Sequence, residues 1–326
     1  MSRAVLLPIP GDPFLAQFWL KMYERWKGEV DRLYVYVNSP IPRFVMDYNK
    51  KKFQGVGAMV LTADHSKEHG ECLRIMTMLA SEDNIMFVED DGFIFKSGKV
   101  NECFSKIESG EYDIVGSARG SCSQEILDKA QEKWGLDYSG FGDRGCNFWP
   151  NFFFTRKELL LKTDKNFGAK NWNPGETIRG LNMSANEQCI GDTFVSASLQ
   201  LRNLTGKVWY ENQYHGATND QEDYNNRTNI WSPEASWLHV GSLSSGINNL
   251  LNPDKPLVAE FNTEQEKLEL ERRVAFWSLF YDESDPNDLV EYRERYRQGI
   301  DRLVAHYNLS PTRISKRKNI YREVLL

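Results

Sequence analysis

The 326-residue sequence predicts an α/β fold: a mixed, mainly parallel sheet flanked by helices and followed by a helical C-terminal extension. Short apolar segments rich in Val, Ile, Leu, Tyr and Phe alternate with helical segments over the first third of the chain. Strands separated by helices favour parallel βαβ units, in which helices cover both faces of the sheet. After Pro256 the composition changes to long charged segments, which we expect to be helices.

The first strand and the first helix are clearly marked. Residues 4–9 form a continuous apolar run that stops at Pro10-Gly11. Asp12 is then a suitable N-cap, Pro13 fits the first helical turn and Gly28 fits the position just past the helix end. The apolar residues that recur every four positions between them are Phe14, Phe18, Met22 and Trp26. This spacing predicts one wide buried helix face.

Further elements follow along the chain. We expect strands at residues 33–37, 58–61, 85–88, 112–115 and 207–211. We expect helices at residues 68–80, 193–202, 263–281 and 288–307. The pattern predicts a main domain of residues 1–250 and a helical extension of residues 251–326.

Composition and charge exclude several classes of protein. Hydrophobic residues make up 40% and charged residues 26%, which excludes a disordered chain. The 40 basic and 46 acidic residues give a net charge of −6, which argues against a nucleic-acid partner. Five cysteines without a CxxC pair are typical of free thiols in a reducing compartment. With no signal-peptide core or membrane-spanning apolar run, we expect a cytoplasmic protein.

Three consecutive carboxylates, Glu89-Asp90-Asp91, follow the apolar strand at residues 85–88. Like charges at this spacing repel and raise one another's pKa unless a cation or hydrogen-bond donors compensate. A divalent cation that also holds a diphosphate would compensate the negative charge, because Mg²⁺ and Mn²⁺ prefer oxygen ligands and phosphate partners. Ligands in open parallel sheets bind beyond the carboxyl ends of the strands, which is where this triplet lies.

At this point the sequence resembles the GT-A family of nucleotide-sugar-dependent glycosyltransferases, over about residues 3–245. The motifs that carry the resemblance are Pro10-Gly11, Gly70…Arg74, Glu89-Asp90-Asp91, Gly191-Asp192-Thr193 and Trp237-Leu-His239-Val-Gly-Ser242. The triplet takes the place of the family's DxD motif, with Glu at the first position where the family usually has Asp. The resemblance implies a Rossmann-like GT-A fold. It also implies sugar transfer from a nucleotide-diphosphate sugar to an acceptor hydroxyl, with a glycan as the expected acceptor and inversion preferred over retention.

The resemblance also implies roles for individual residues. Asp91, Glu89 and His239 would hold Mn²⁺ or Mg²⁺, and the imidazole favours Mn²⁺. Asp192, with Glu187 in reserve, would be the general base that deprotonates the acceptor. The residues that would contact the nucleotide sugar are Pro10, Gly11, Asn38, Asp64, Arg74, Glu89 and Asp90.

Several alternatives stay open. Asp192 could serve only as a helix N-cap. The middle aromatics could stack on sugars or pack in the core; they are Trp149, Phe152, Trp172 and Trp231. The chain could be a non-catalytic sugar-binding or scaffold protein on the same fold. His65-Ser-Lys-Glu68-His69 matches the H-x-x-E-H signature of zinc peptidases. The basic stretch at residues 313–326 could contact an anionic membrane surface, or form a solvated helix end.

Overall fold

The computed structural model describes most of the chain. The described residues are 1–9, 11–38, 43–63, 65–117, 122–135, 148–211, 229–230, 236–240, 243, 250–251, 263–284 and 289–326. The strands are β1 Arg3–Ile9, β2 Arg32–Val37, β3 Met59–Thr62, β4 Asn84–Val88, β5 Gly92–Ile94, β6 Ile114–Ser117, β7 Phe152–Arg156, β8 Lys170–Trp172, β9 Thr177–Ile178, β10 Met183–Ser184, β11 Cys189–Gly191, β12 Val208–Glu211, β13 Asn229–Ile230 and β14 Trp237–Val240. The helices are α1 Pro13–Tyr23, α2 Arg43–Gly55, α3 His69–Leu79, α4 Lys99–Glu108, α5 Gln124–Trp134, α6 Lys157–Leu160, α7 Val195–Leu204, α8 Glu264–Glu283, α9 Val290–His306 and α10 Pro311–Leu325.

The central sheet of the described residues has the strand order β12-β6-β7-β4-β1-β2-β3. All neighbouring strands in it run parallel except β7, which is antiparallel to both β4 and β6. β5, β14 and β13 form a separate antiparallel sheet. The α/β prediction is therefore confirmed: the sheet is mixed, mainly parallel and Rossmann-like, as the resemblance implies.

The side chains of strand β4 alternate between two hydrophobic cores, one on each face of the sheet. Met86 and Val88 belong to the core shared with α1, α4 and the C-terminal helices. Ile85 and Phe87 belong to the core on the other face, with α3 and α7. Because successive side chains of a strand point to opposite faces, β4 is buried on both sides. This explains why residues 85–88 read as a continuous apolar run.

Helix α1 begins as the sequence predicts. The Asp12 carboxylate accepts hydrogen bonds from the backbone N–H groups of Phe14 and Leu15, at 3.2 and 3.1 Å. Pro13 occupies the first turn. Such a cap satisfies N–H groups that have no partner within the helix.

The C-terminal helices share one hydrophobic core with α1 and β5. The Phe280 ring lies 4.8 Å from Phe18 and 5.7 Å from Phe93, measured between ring centroids. Tyr292 and Tyr296 of α9 contact the ring of Phe14. The predicted helical extension is thus packed directly onto the first helix of the main sheet.

The basic C-terminal stretch forms ion pairs within the chain. Arg313 contacts Glu271 at 2.7 Å, Lys318 contacts Asp282 at 2.8 Å and Arg322 contacts Glu283 at 2.9 Å. Arg317 is buried and donates to the backbone carbonyl of Leu268. Much of the positive charge of α10 is therefore directed at α8.

Within the described ranges, no helix combines the length and apolar character needed to cross a membrane. The cysteines in these ranges carry free thiols, as predicted, and they are Cys72, Cys103, Cys122 and Cys189. Cys146 lies outside the described residues.

Candidate metal and donor site

The acidic triplet forms a buried turn between β4 and β5. The Glu89 carbonyl accepts a hydrogen bond from Gly92 N–H at 3.0 Å, which closes the turn. Glu89, Asp90 and Asp91 are 8%, 6% and 4% exposed. A Cβ atom on Gly92 would lie 2.8 Å from the Asn151 carbonyl oxygen, so this position needs glycine. The turn places charged side chains inside the protein, where they need compensation.

Strand β14 brings His239 to this turn. It pairs antiparallel with β5, with His239 opposite Gly92, and Val240 N–H donates to the Asp91 carbonyl at 3.0 Å. His239 Nε2 lies 3.1 Å from Asp91 Oδ1 and 3.5 Å from Glu89 Oε2. One potential ligand atom from each of the three residues lies within 4.8 Å of the others. The structure thus brings together the three residues that the sequence analysis named as metal ligands.

The electrostatics of His239 reflect its two carboxylate neighbours. Burial disfavours the charged imidazolium, but the charge of Asp91, together with the hydrogen bonds that the ring donates to Asp91 and Glu89, outweighs burial and raises the His239 pKa to about 9. Nδ1 of the same ring is buried without a hydrogen-bond partner in the described part of the chain. The Trp149 ring packs against it at 5.1 Å. Without a metal, a proton on His239 offsets part of the negative charge.

The donor set fits a divalent cation. Two carboxylates and one imidazole present oxygen and nitrogen ligands, a combination that suits Mn²⁺, whereas Mg²⁺ favours oxygen alone. The three side chains are nearly inaccessible to solvent, so hydration does not offset their charge. A bound cation would take over the compensation that the His239 proton provides.

Asp90 has different surroundings from its two neighbours. Burial, followed by the charges of Asp91 and Glu89, raises its pKa well above the ordinary value, and the charge of Asp12 contributes as well. Asp12 itself is buried, which raises its pKa to about 7, and it accepts a hydrogen bond from the Tyr292 hydroxyl at 3.2 Å. The buried charges of Asp90 and Asp12 therefore disfavour each other, and Asp90 Oδ2 has no partner among the described residues.

His69, at the start of α3, also borders the site. Its Nδ1 lies 3.6 Å from Glu89 Oε1, so Glu89 lies between two histidines. The Glu68 carboxylate instead accepts the backbone N–H of Ala169 at 3.0 Å. The H-x-x-E-H residues therefore do not converge on a common point, and in the described ranges they form no metal-ligand cluster. From the sequence, His69 is a candidate only through the zinc-peptidase signature, and its position beside Glu89 is not predicted.

The predicted donor-binding residues have varied surroundings. Gly11 is buried with φ of 96°, and its carbonyl accepts from Asn49 Nδ2 at 2.7 Å. The Asn38 amide both donates to and accepts from the backbone of Lys67, at 2.8 and 2.7 Å, so it fixes the loop before α3. Arg74 is exposed on α3. Pro10 and Asp64 lie outside the described residues.

Asp192 is exposed, and the N-cap interpretation of this residue is wrong. Helix α7 begins at Val195 and its N-cap position is Phe194, with φ of 71°. Asp192 Oδ1 accepts only from the neighbouring Thr193 N–H, at 2.7 Å, among the described residues. Because Phe194 packs into the core against Phe87 and Phe153, the chain turns inward after Asp192 and leaves its carboxylate at the surface. Glu187, the reserve candidate, is also exposed.

A polar cavity of about 540 Å³ lies beside the segment that carries Asp192. Its lining includes Trp172, Lys170 and Ser196. Strand β8, which supplies the first two, pairs with β11, whose last residue directly precedes Asp192. The cavity also contains an ion pair between Arg179 and Asp164, at 3.2 Å.

Two of the four middle aromatics, Phe152 and Trp172, are core residues. Phe152 stacks on Trp237 with ring centroids 4.4 Å apart, and Trp172 is 2% exposed. Trp149 is half-buried against His239. Trp231 lies outside the described residues. The sequence did not identify Asn151, which is fully buried beside the acidic turn with an unpartnered side chain.

Solved structures similar to this chain include complexes of a synthase and a synthetase with low sequence identity to it. Glucosyl-3-phosphoglycerate synthase from Mycobacterium tuberculosis in complex with phosphoglyceric acid is 14% identical, with a TM-score of 0.34, covering 64% of this chain and 68% of that one. Its complex with Mn²⁺, uridine diphosphate and glucosyl-3-phosphoglycerate is 13% identical, with a TM-score of 0.38 and the same coverage. CMP:2-keto-3-deoxy-manno-octonic acid synthetase with CTP is 11% identical, with a TM-score of 0.33, covering 49% of this chain and 76% of that one. No family model and no curated protein matches the chain. At these identities and TM-scores, the function has to be argued from the chain's own residues.

Proposed function

We propose that this chain is a metal-dependent glycosyltransferase that moves a sugar from a nucleotide-diphosphate sugar to an acceptor hydroxyl. The observation that carries the proposal is the cluster of Glu89, Asp91 and His239 at the carboxyl end of a central strand. Ligands of open α/β sheets bind at this edge. A buried oxygen- and nitrogen-rich cluster there suits a cation that also binds a diphosphate.

Each residue of the cluster has a separate role in this proposal. Asp91, Glu89 and His239 would hold Mn²⁺ or Mg²⁺, and the bound cation would offset the charge that develops on the leaving diphosphate. Asp91 and Glu89 fix the His239 ring through Nε2. The indole of Trp149 packs against that ring, which is 1% exposed, and charge interactions are stronger at a buried site than in water.

The donor-binding side of the site would be built by the first two strand ends. Gly11 adopts a left-handed conformation that lets the backbone approach a ligand closely. Asn38 fixes the loop before α3 and so supports the position of His69. Pro10, Asp64, Arg74 and Asp90 remain proposed contacts to the base, ribose or phosphates.

Asp192 is the proposed general base, with inversion as the expected outcome. An exposed carboxylate beside a polar cavity can accept a proton from an acceptor hydroxyl. The cavity is lined mainly by charged groups and hydroxyls, which suits a glycan acceptor. A cytoplasmic location and a contact of the basic C-terminal stretch with anionic membranes stay predictions of the sequence.

The pKa of His239 leads to a prediction for metal binding. With a pKa of about 9, the ring is protonated at pH 7.5, and binding of Mn²⁺ through Nε2 has to release that proton. We expect about one proton released per Mn²⁺ at pH 7.5, and an affinity that rises up to about pH 9. Calorimetric titration in two buffers of different ionisation enthalpy measures this number. His239→Gln should release about one proton fewer than the wild type, and a wild-type signal that is independent of the buffer would contradict the assignment.

The raised pKa of His239 also affects the stability of the metal-free protein. The His239 pKa is raised from 6.5 in the unfolded chain to about 9 in the fold. Its contribution to the free energy of unfolding is therefore fully present below pH 6.5 and is lost as the pH rises through 9.

A thermal-shift screen tests the proposed function. UDP-, GDP-, TDP- and CMP-linked sugars are each added with Mn²⁺, with Mg²⁺ and with a chelator. We expect at least one nucleotide sugar to raise the melting temperature, and only in the presence of the cation, because a ligand that binds the native state stabilises it. The alternative of a non-catalytic sugar-binding protein predicts the same stabilisation without release of nucleoside diphosphate. Stabilisation by no donor would contradict both.

A further inference from the structure

Asn151 is a fully buried residue whose side chain has no hydrogen-bond partner. It is 0% exposed, and neither Oδ1 nor Nδ2 is paired in the part of the chain that the structure describes. Leaving a buried amide unpaired costs about 1–3 kcal/mol. Because native proteins leave few such groups unpaired, this one requires an explanation.

The position of Asn151 in the sheet relates it to the metal cluster. The antiparallel pairing of β4 with β7 ends at Val88 and Phe152. Glu89 directly follows the first of these residues and Asn151 directly precedes the second. Phe87 and Phe153, the pair before Val88 and Phe152, belong to the core on the α3 face. Side chains alternate along a strand, so a continuation of the pairing by one residue would put Glu89 and Asn151 on that same face.

Two further contacts tie this segment to the site. The Asn151 carbonyl oxygen lies 2.8 Å from the position that a Gly92 Cβ would occupy, so its backbone packs on the acidic turn. Trp149, two residues earlier, contacts the His239 ring. The segment that carries Asn151 therefore packs on the acidic turn and on His239, which supply the residues that would hold the cation.

The unpaired atoms indicate what kind of group would bind. An amide offers donors on Nδ2 and an acceptor on Oδ1, and here both are unused. A cation would use only Oδ1, and a phosphate oxygen would use only Nδ2. A hydroxyl both donates and accepts, so sugar hydroxyls satisfy the whole amide.

On the basis of the proposed function, we propose that Asn151 binds a hydroxyl of the transferred sugar and thereby selects the donor. It is a specificity-determining residue: it orients the sugar over the cation site without taking a proton. A site built to hydrogen-bond a hydroxyl discriminates strongly against the analogue that lacks it, because its own polar group is then left unpaired.

The test replaces Asn151 by leucine, which has the same branching at Cγ and no polar atoms, and whose two methyl groups are somewhat larger than the amide. The donor is the nucleotide sugar that stabilises the wild type most in the screen above, used together with its monodeoxy analogues. We expect Asn151→Leu to fold and to melt cooperatively, because removal of an unpaired buried amide offsets the cost of the larger side chain. Its affinities for Mn²⁺ and for the nucleoside diphosphate should stay within about twofold, while kcat/KM for the donor falls at least about 100-fold.

The deoxy analogues identify the contact itself. In the wild type, one monodeoxy donor should lose most of kcat/KM, and in Asn151→Leu the same removal should change little. Asn84→Leu is the matched control, because Asn84 is equally buried at the other end of β4 and its Oδ1 is also unpaired. We expect Asn84→Leu to change the melting temperature. The ratio of kcat/KM between the donor and its deoxy analogue should stay as in the wild type.

Each contrary outcome has a distinct meaning. Unchanged kcat/KM in Asn151→Leu would overturn the assignment while leaving the proposed function intact. Mn²⁺ affinity that falls more than about tenfold would also overturn it, since the amide would then serve the cation. A wild type that binds no nucleotide sugar in the presence of Mn²⁺ would overturn the proposed function and this inference together.

Discussion

Replacing Asp91 by asparagine is expected to weaken Mn²⁺ binding and sugar transfer by at least about 100-fold, since even partners outside the metal's direct ligands contribute 10–100-fold. Asparagine keeps the shape of the side chain but removes the charge that a cation and His239 both need. Asp91 Oδ1 lies 3.1 Å from His239 Nε2, so the substitution also takes away the nearer anionic partner of that ring. Calorimetric titration with Mn²⁺ and release of nucleoside diphosphate measure the two losses.

The control for this substitution is Asp128→Asn. Asp128 is an exposed residue of α5 that accepts a hydrogen bond from Gln124, so the same chemical change is made away from the site. We expect its Mn²⁺ affinity and turnover to match the wild type. If Asp91→Asn also matched the wild type in both measurements, the metal assignment would be wrong.

Replacing Phe280 by alanine is expected to lower the free energy of unfolding by about 3–5 kcal/mol. Phe280 belongs to α8, is 0% exposed and contacts Phe18 of α1 and Phe93 of β5. Its removal leaves a cavity at the centre of the core that joins the C-terminal helices to the sheet. Urea denaturation followed by circular dichroism should show one transition, shifted to lower urea.

Val290→Ala serves as the comparison for this core substitution. Val290 is 74% exposed at the start of α9, so we expect a change below about 0.5 kcal/mol. Two separate transitions in the wild type would instead make residues 251–326 an independent domain. A loss below about 1 kcal/mol in Phe280→Ala would show that the shared core contributes little to stability.

The parts of the fold that depend on local pattern could be predicted from the sequence. Residues 4–9 and 85–88 read as strands because strands buried on both faces need continuous apolar side chains. Asp12 and Pro13 marked the start of α1 because the N-terminal turn has its own chemistry. The acidic triplet indicated a metal site because three carboxylates at the end of a buried strand require compensation.

The parts that depend on long-range pairing could be predicted only in part. His239 was named from a motif, but its place beside Asp91 comes from the register between β14 and β5. A role for Asn151 could not be predicted from the sequence, because its burial and its lack of partners depend on β7 inserting antiparallel beside β4. The sequence allowed Asp192 to be an N-cap, because it does not show that Phe194 turns inward before α7 begins.

The most direct test of the central claim is the binding of Mn²⁺ with and without a nucleoside diphosphate. Electron paramagnetic resonance of Mn²⁺, titrated into the metal-free protein, counts the bound ions and measures their affinity. We predict one ion per chain, bound more tightly when UDP or GDP is present, with both effects lost in Asp91→Asn and retained in Asp128→Asn. An absence of bound Mn²⁺ in the wild type, or binding that neither nucleotide strengthens, would contradict the account.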